Sequence, residues 1–373
     1  MKGAMLYVDA GKGHYIPAKA LADSFIRGGH EATVENLFTV YGSSFWNKLA
    51  KYTWRCLLHF PRLEPSLTKG SDSRLNAFLM KRLVSTPKYQ KAFMAWYEKE
   101  KPDFIVSTNF IGGEIIPETV KRLNLDIPVF QYLADVFDTP KTGVNNSLDR
   151  MYTASELGKK NAILKGQRED TISICSFPIQ YKFESHEPLG KKEARAKLGL
   201  DDEFTILCSL GGEGIASVKL LYRLAEENLK CQFVVIGGKS RSTEKKFREF
   251  KKRFPDFNLR VCGFVDNVPD YLAACDIQIG KAGANGVMEA IYMRRPFIVT
   301  EVLYPFIACK DFIAKNPVGW CENSIEKQVE IIMRFSSDEA FRKQIEENFS
   351  VLPLRFGSDA FRDEIIEDIR KLQ

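Results

Sequence analysis

No apolar run in the 373-residue sequence is long enough to span a bilayer, and a secretory leader is not expected, because a strand, Ala4 to Asp9, is read almost at once without the long apolar run of a signal peptide. Both absences point away from membrane spanning and from secretion. Paired cysteines are missing as well. The eight cysteines (Cys56, Cys175, Cys208, Cys231, Cys262, Cys275, Cys309 and Cys321) are scattered without a CxxC spacing, several in strand-like apolar runs. Such scatter supports neither a disulfide framework nor a zinc site, and fits reduced core thiols in a cytosolic compartment. There is no internal sequence repeat and no recognisable nucleic-acid module. What is present is the composition of a folded soluble protein, 45% hydrophobic and 27% charged, too long for one ordinary core and so expected to form two domains.

Strand-like and helix-like periodicities alternate along the chain, which predicts an α/β protein with doubly wound parallel sheets. The first unit opens as strand Ala4 to Asp9, Gly-rich turn Ala10 to His14, helix Pro17 to Gly28 and strand Ala32 to Asn36. Further strands are expected at Phe104 to Thr108, Pro128 to Tyr132, Arg150 to Thr153 and Thr171 to Cys175, with Gly112 and Gly113 leading into a helix through Arg122. The polar stretch Lys182 to Lys192 is the expected linker. The pattern then restarts with strand Phe204 to Leu210, and runs through strands Gln232 to Ile236, Leu259 to Cys262 and Asp276 to Ile279 to a last strand, Pro296 to Thr300. Ser324 to Asn348 reads as helical and amphipathic, and Asp359 to Leu372 as a final helix that could cross back to the first domain. The expected boundaries are 1–180, 181–357 and 358–373. Two such domains facing each other make one cleft from two Gly-rich edges, since ligands sit beyond the carboxyl ends of the strands.

Three stretches carry candidate chemistry. In Gly11-Lys12-Gly13-His14 the third glycine of a dinucleotide fingerprint is replaced by Ile16, which weakens a reading with Glu35 as ribose-binding acid. The turn does place His14 at the mouth of a strand–helix junction, where a neutral imidazole suits a general base; the plainer reading is a histidine that caps the helix. Gly211-Gly212-Glu213-Gly214 is a backbone nest able to hold a phosphate, and Gly237-Gly238 closes the next strand. Lys281 to Asn285, with Gly283 and Ala284, is a small-residue loop at a helix start, where N–H groups and the helix dipole favour an anion. Glu289, one turn further in, is placed to bond ribose hydroxyls.

Charge is unevenly spread although the net total is only +6. Between Phe45 and Lys99 stand Lys48, Lys51, Arg55, Arg62, Lys69, Arg74, Lys81, Arg82, Lys88, Lys91 and Lys99 against Glu64, Asp72 and Glu98. Trp46, Trp54 and Trp96 lie in the same segment. Cations interleaved with tryptophan suit an anionic membrane surface.

Taken in order, GKGH, LGGEG, CGFVDNVPDYLAACD and KAGANGVMEAIYMRRPFIV resemble the glycolipid branch of the two-Rossmann (GT-B) glycosyltransferases, the monogalactosyldiacylglycerol synthases and processive diacylglycerol glucosyltransferases. The resemblance implies two Rossmann-like domains and inverting transfer of a hexose from a UDP-sugar to diacylglycerol or a glycosyl-diacylglycerol. It implies no metal and no cofactor beyond the UDP-sugar donor. His14 would be the base, and Asp135 matches a family Asp that competes for that role or orients the histidine. Phe264 would read uracil through its backbone, Gly283 and Ala284 would approach the phosphates, and Glu289 would bind ribose. The Phe45–Lys99 segment would approach the membrane, making the protein cytoplasmic and peripherally bound to the inner face of the cell membrane. A polyprenyl-linked or small-molecule acceptor, and a regulatory protein that kept the nucleotide site, are the alternatives. The chain departs from the pattern at Asn285-Gly286, where Gly-Thr is usual, and at Leu303 to Ile307, where a polar pair for the sugar hydroxyls is usual, so the nucleotide half carries over further than the sugar half.

Overall fold

The computed structural model describes residues 1–372 apart from 10, 60–65, 67, 70, 71, 211–217, 239, 282 and 302–305, and omits the side chains of 55, 57–59, 281 and 301. Two compact units divide the chain: Met1–Glu184 with Leu303–Ala308 and Pro353–Gln373, and Ser185–Val302 with Cys309–Leu352.

The first unit runs β1 (Lys2–Tyr7), α1 (Tyr15–Arg27), β2 (Glu31–Asn36), α2 (Leu37–Val40), α3 (Ser44–His59), α4 (Arg74–Val84), α5 (Pro87–Glu100), β3 (Phe104–Ser107), α6 (Phe110–Arg122), β4 (Val129–Tyr132), β5 (Arg150–Thr153), α7 (Glu156–Leu164), β6 (Ile172–Ile174) and α8 (Tyr181–Glu184). The second runs α9 (Lys191–Lys197), β7 (Thr205–Ser209), α10 (Lys219–Glu226), β8 (Gln232–Ile236), α11 (Arg241–Arg253), β9 (Asn258–Gly263), α12 (Val268–Ala274), β10 (Ile277–Lys281), α13 (Ala284–Tyr292), β11 (Phe297–Glu301), α14 (Cys309–Lys315), β12 (Gly319–Cys321), α15 (Ile325–Ser337) and α16 (Glu339–Asn348). A last helix, α17 (Ser358–Leu372), belongs to the first unit.

Each unit holds a six-stranded sheet, ordered β2-β1-β3-β4-β5-β6 and β12-β11-β10-β7-β8-β9, with every strand pair parallel. Parallel strands covered on both faces need continuous apolar runs, which is why Ala4, Met5 and Leu6 of β1 and all of Gln232–Ile236 are buried. Strand order reverses direction between β1 and β3 in the first sheet, and between β7 and β10 in the second. Those two reversals are where side chains and loops part to leave a crevice at the carboxyl edge.

Several expected elements need correction. Gly112 and Gly113 do not precede their helix but lie inside α6, since the space of their missing side chains is taken by Ser107 and Gln131. A Cβ on Gly113 would stand 1.6 Å from Gln131 Oε1. The stretch Ser324 to Asn348 is helical as expected, divided in two where Asp338 leaves the helical region and its carboxylate caps α16 through Phe341 N at 2.9 Å. Phe297–Glu301 is not the last strand, as β12 pairs beside it. Within the expected linker, α8 and α9 take up Lys182 and Lys191–Lys192. All eight cysteines are free.

Candidate active site

The turn after β1 leads into His14, which occupies the N-cap position of α1 yet makes no side-chain capping bond. Its ring turns instead to the neighbouring strand, with Nδ1 2.8 Å from the Thr108 carbonyl oxygen. Thr108 returns the bond through Oγ1 to the His14 carbonyl at 2.8 Å, and its own N–H binds the Leu6 carbonyl at 3.0 Å. The residues following β1 and β3 are thereby clamped at the point where strand order reverses. A carbonyl oxygen can only accept, so Nδ1 carries the proton and Nε2 keeps its lone pair. Burial lowers the imidazole pKa to about 4, against a smaller opposing effect of the Thr108 bond. The ring is therefore neutral at pH 7, in the tautomer a base requires, and the capping reading fails.

Asp135 follows β4 at the same carboxyl edge. Two strand spacings separate β1 from β4, roughly 10 Å, and the bond that orients His14 comes from Thr108 rather than from Asp135. Burial first, and the charge of Asp138 second, raise the Asp135 carboxyl to about 7. The next residue, Val136, has φ 62°, a left-handed conformation that a β-branched side chain rarely adopts and that costs about 1–3 kcal/mol. Ser155 Oγ and Thr153 Oγ1 hold its carbonyl at 2.7 and 3.1 Å. A Cβ on Gly158 would come within 2.3 Å of that same oxygen, so only glycine fits there.

The basic aromatic segment meets this edge directly. Lys51 of α3 pairs with Asp9 at 2.6 Å, and the Trp54 indole lies against Gly11, whose φ is 77°. The tryptophans are not the exposed apolar groups expected of them. Trp46 Nε1 donates to Tyr89 Oη at 3.0 Å, and Trp96, buried, donates to Glu35 at 2.9 Å, which occupies the carboxylate considered for a ribose. The outward faces belong to other residues: Phe45, Leu49 and Tyr52 on α3, and Leu75, Phe78 and Leu79 on α4, with Tyr52 68% and Leu75 65% exposed. Lys48, Arg74 and Arg82 are exposed among them.

In the second unit, Gly238, Phe264 and Gly283 to Asn285 all lie at the carboxyl edge, after β8, β9 and β10. Gly211, Gly212, Glu213 and Gly214 fall outside the described residues, as does the side chain of Lys281, the final residue of β10. Gly283 is the N-cap of α13 without a side-chain bond to the helix, and nothing lies within 4 Å of the position a Cβ would take. No acidic residue stands in the first turn. An anion can therefore approach the Ala284 end of the helix closely. Asn285 is buried, Glu289 sits half-buried in the second turn, and Phe264 is 76% exposed beside Gly263, whose φ is 83°. Among the described residues no cluster of His, Cys, Asp or Glu is arranged to hold a metal ion.

Sequence reasoning missed Thr108, Ser155, Asn161 and Lys165. Ser155 alone carried a signal, as a helix-capping residue before Glu156; the others act across distances that no local pattern reveals.

Two Rossmann-like sheets, each with its candidate residues at the carboxyl edge, define the two-domain GT-B architecture. Over its whole length the chain resembles HepE of Anabaena in complex with UDP-glucose (TM-score 0.62, 13% identity, 100% of both chains) and the UDP-GlcNAc 2-epimerase of Neisseria meningitidis bound to UDP-GlcNAc (TM-score 0.61, 12% identity, 100% of both chains). Residues 216–306 match the glycosyltransferase family 28 C-terminal domain. The chain is 24% identical over 99% of its length to the probable monogalactosyldiacylglycerol synthase 2 of rice, Oryza sativa subsp. japonica, covering 80% of that protein. It is 22% identical over 98% of its length to the processive diacylglycerol beta-glucosyltransferase of Bacillus subtilis, covering 94% of it. The resemblance read from the motifs is thus borne out over nearly the full chain.

Proposed function

We propose that this protein is an inverting glycosyltransferase that moves a hexose from a UDP-sugar to diacylglycerol or a glycosyl-diacylglycerol. The observation that carries the reading is the neutral His14 with its Nε2 lone pair at the strand reversal, in a chain that is similar end to end to glycolipid synthases. Nε2 takes the proton of the acceptor hydroxyl. The freed oxygen attacks the anomeric carbon opposite the nucleotide, and the bond from that carbon to the β-phosphate oxygen breaks with its electrons leaving on UDP. N–H groups at the start of α13 stabilise the departing diphosphate, and Glu289 binds the ribose. Asp135 would accept a hydrogen bond from a second hydroxyl of the acceptor when ionised.

The protein is proposed to work at the inner face of the cell membrane. Among the described residues no helix is long and apolar enough to cross a membrane, and the exposed stripes of α3 and α4 have the mixture of aromatic, aliphatic and cationic groups that enters an interface. Because α3 also leans on the turn before His14 through Lys51 and Trp54, membrane contact and the catalytic edge are joined. Purified protein with UDP-glucose or UDP-galactose and diacylglycerol in mixed micelles should yield a slower-migrating lipid. UDP binding without lipid product from any UDP-sugar would overturn transfer and leave a nucleotide-binding protein; release of a free epimerised sugar would place the chain with the epimerases instead.

Flotation with anionic liposomes tests the interface. Neutralising Lys48, Arg74 and Arg82 to Gln should weaken binding by roughly a hundred-fold, since each juxtamembrane cation contributes about 1 kcal/mol. Unchanged flotation, or equal binding to neutral liposomes, would show that these helices are not the membrane face.

A further inference from the structure

The loop after Asp135 is strapped by a single helix face. Val136, strained at φ 62°, is held at its carbonyl by Ser155. Asn161 Nδ2 donates to the Phe137 carbonyl at 2.9 Å. Lys165 Nζ donates to Asp138 Oδ1 at 2.5 Å and to the Thr139 carbonyl at 2.6 Å, while Asp138 Oδ1 also accepts from Thr139 N at 2.8 Å. Ser155, Gly158, Asn161 and Lys165 recur every three or four residues from the N-cap of α7 to its C-cap, so they share one side of the helix. Consecutive peptide groups of the loop are thus gripped in turn, and Gly158 is the gap through which the strained carbonyl reaches its hydroxyls.

We propose that Lys165, assisted by Asn161, is a positioning residue for Asp135: it fixes the 136–139 loop and offsets the negative charge of Asp138 beside the Asp135 carboxyl. This rests on the reading of Asp135 as an acceptor-binding group. Among the described residues, Asp138 on its own loop and the buried Tyr132 hydroxyl at the end of β4 interact with that carboxyl, and Lys165 is set against Asp138 from α7. Lys165 and Asp138 are both mostly screened from water, with side-chain exposures of 22% and 29%, so the pair acts on Asp135 through a medium of reduced polarity. Without Lys165, Asp138 would stand uncompensated and would favour protonation of Asp135. With Asp138 neutralised, Lys165 would favour the carboxylate.

Carbon-13 carboxyl-labelled aspartate, with the Asp135 resonance assigned from Asp135→Asn, reads the effect without any transfer assay. The Asp135 titration midpoint should rise in Lys165→Met, fall in Asp138→Asn and stay in place in Lys165→Arg. In the mixed-micelle assay Lys165→Met should raise the KM for the lipid acceptor by tenfold or more near pH 7, with a smaller change in kcat. Midpoints that coincide in all three variants overturn the inference, and Asp138→Asn, which changes one side-chain atom, keeps the test open should Lys165→Met fail to fold. Shifted midpoints together with an unaltered acceptor KM in Asp135→Asn uphold the strap while sinking the role of Asp135 in acceptor binding.

Discussion

His14→Ala is expected to lower kcat for sugar transfer by about 10²–10⁴-fold, the contribution of a well-placed general base, and to leave UDP affinity unchanged. The residues proposed to hold the nucleotide lie at the edge of the other sheet, so a binding loss by calorimetry would count against the assignment. The pH profile supplies a sharper reading, because the two candidate bases have been pushed in opposite directions. The base must be unprotonated, so with His14 in the role kcat rises as pH increases through about 4 and is flat above. With Asp135 in the role the rise would be centred near 7. A kcat limb near 7 would remove His14 from proton transfer. The same lowered pKa has a stability consequence. Below 6.5, the usual histidine value, the unfolded chain takes up the proton first, so the contribution of neutral His14 to folding is lost as pH falls from 6.5 to about 4, and His14→Ala should flatten that part of the acid-unfolding curve.

Removing residues 353–373 should prevent the first unit from folding. Helix α17 buries Phe361, Ile365, Ile366 and Ile369 almost completely. At about 1.5–3 kcal/mol for each fully buried side chain they contribute roughly 6–12 kcal/mol, as much as the whole net stability of an ordinary domain, about 5–15 kcal/mol. The loss would not stop at those four. Phe361 packs its ring against Tyr132 and Tyr152, with centroids 5.4 and 5.1 Å apart, and the Asp368 carboxylate accepts from Tyr152 Oη at 2.7 Å and pairs with Arg150 at 3.0 Å. Asp359 is bonded to Ser24 and Arg27 of α1 at 2.6 and 2.7 Å. Calorimetry of the truncated chain should show the transition of the second unit alone. A surviving cooperative transition for residues 1–184 would mean that α17 is an accessory. The single substitution Phe361→Ala, at about 3–5 kcal/mol, should give a milder form of the same defect.

Much of this architecture was legible because buried parallel strands write themselves as short apolar runs. The strands Gln232–Ile236 and Arg150–Thr153 have the same limits in sequence and structure, as does the helix Val268–Ala274. The place of His14 at a strand–helix turn was equally readable. What could not be read was the other end of its bond, since Thr108 lies 94 residues away and offers a main-chain oxygen that every residue possesses. Glycine misled where its reason was steric: Gly112 and Gly113 look like punctuation, yet they make room for Ser107 and Gln131 inside a helix. Tryptophan misled because an indole beside cations has one pattern in sequence and two fates. Trp96 ends up buried on Glu35, and the outward positions fall to Phe45, Tyr52 and Phe78. The strain at Val136 left no trace at all, because it is imposed by a helix that begins twenty residues later.

The return of α17 to the first unit also sets an order of events during synthesis. Residues 185–302 and 309–352 have all been synthesised before Phe361 and Ile365 exist. Domains ordinarily fold as they emerge, the N-terminal one first. Here the unit that begins the chain must wait with Tyr132 and Tyr152 uncovered, and the unit encoded second is the first that can be finished.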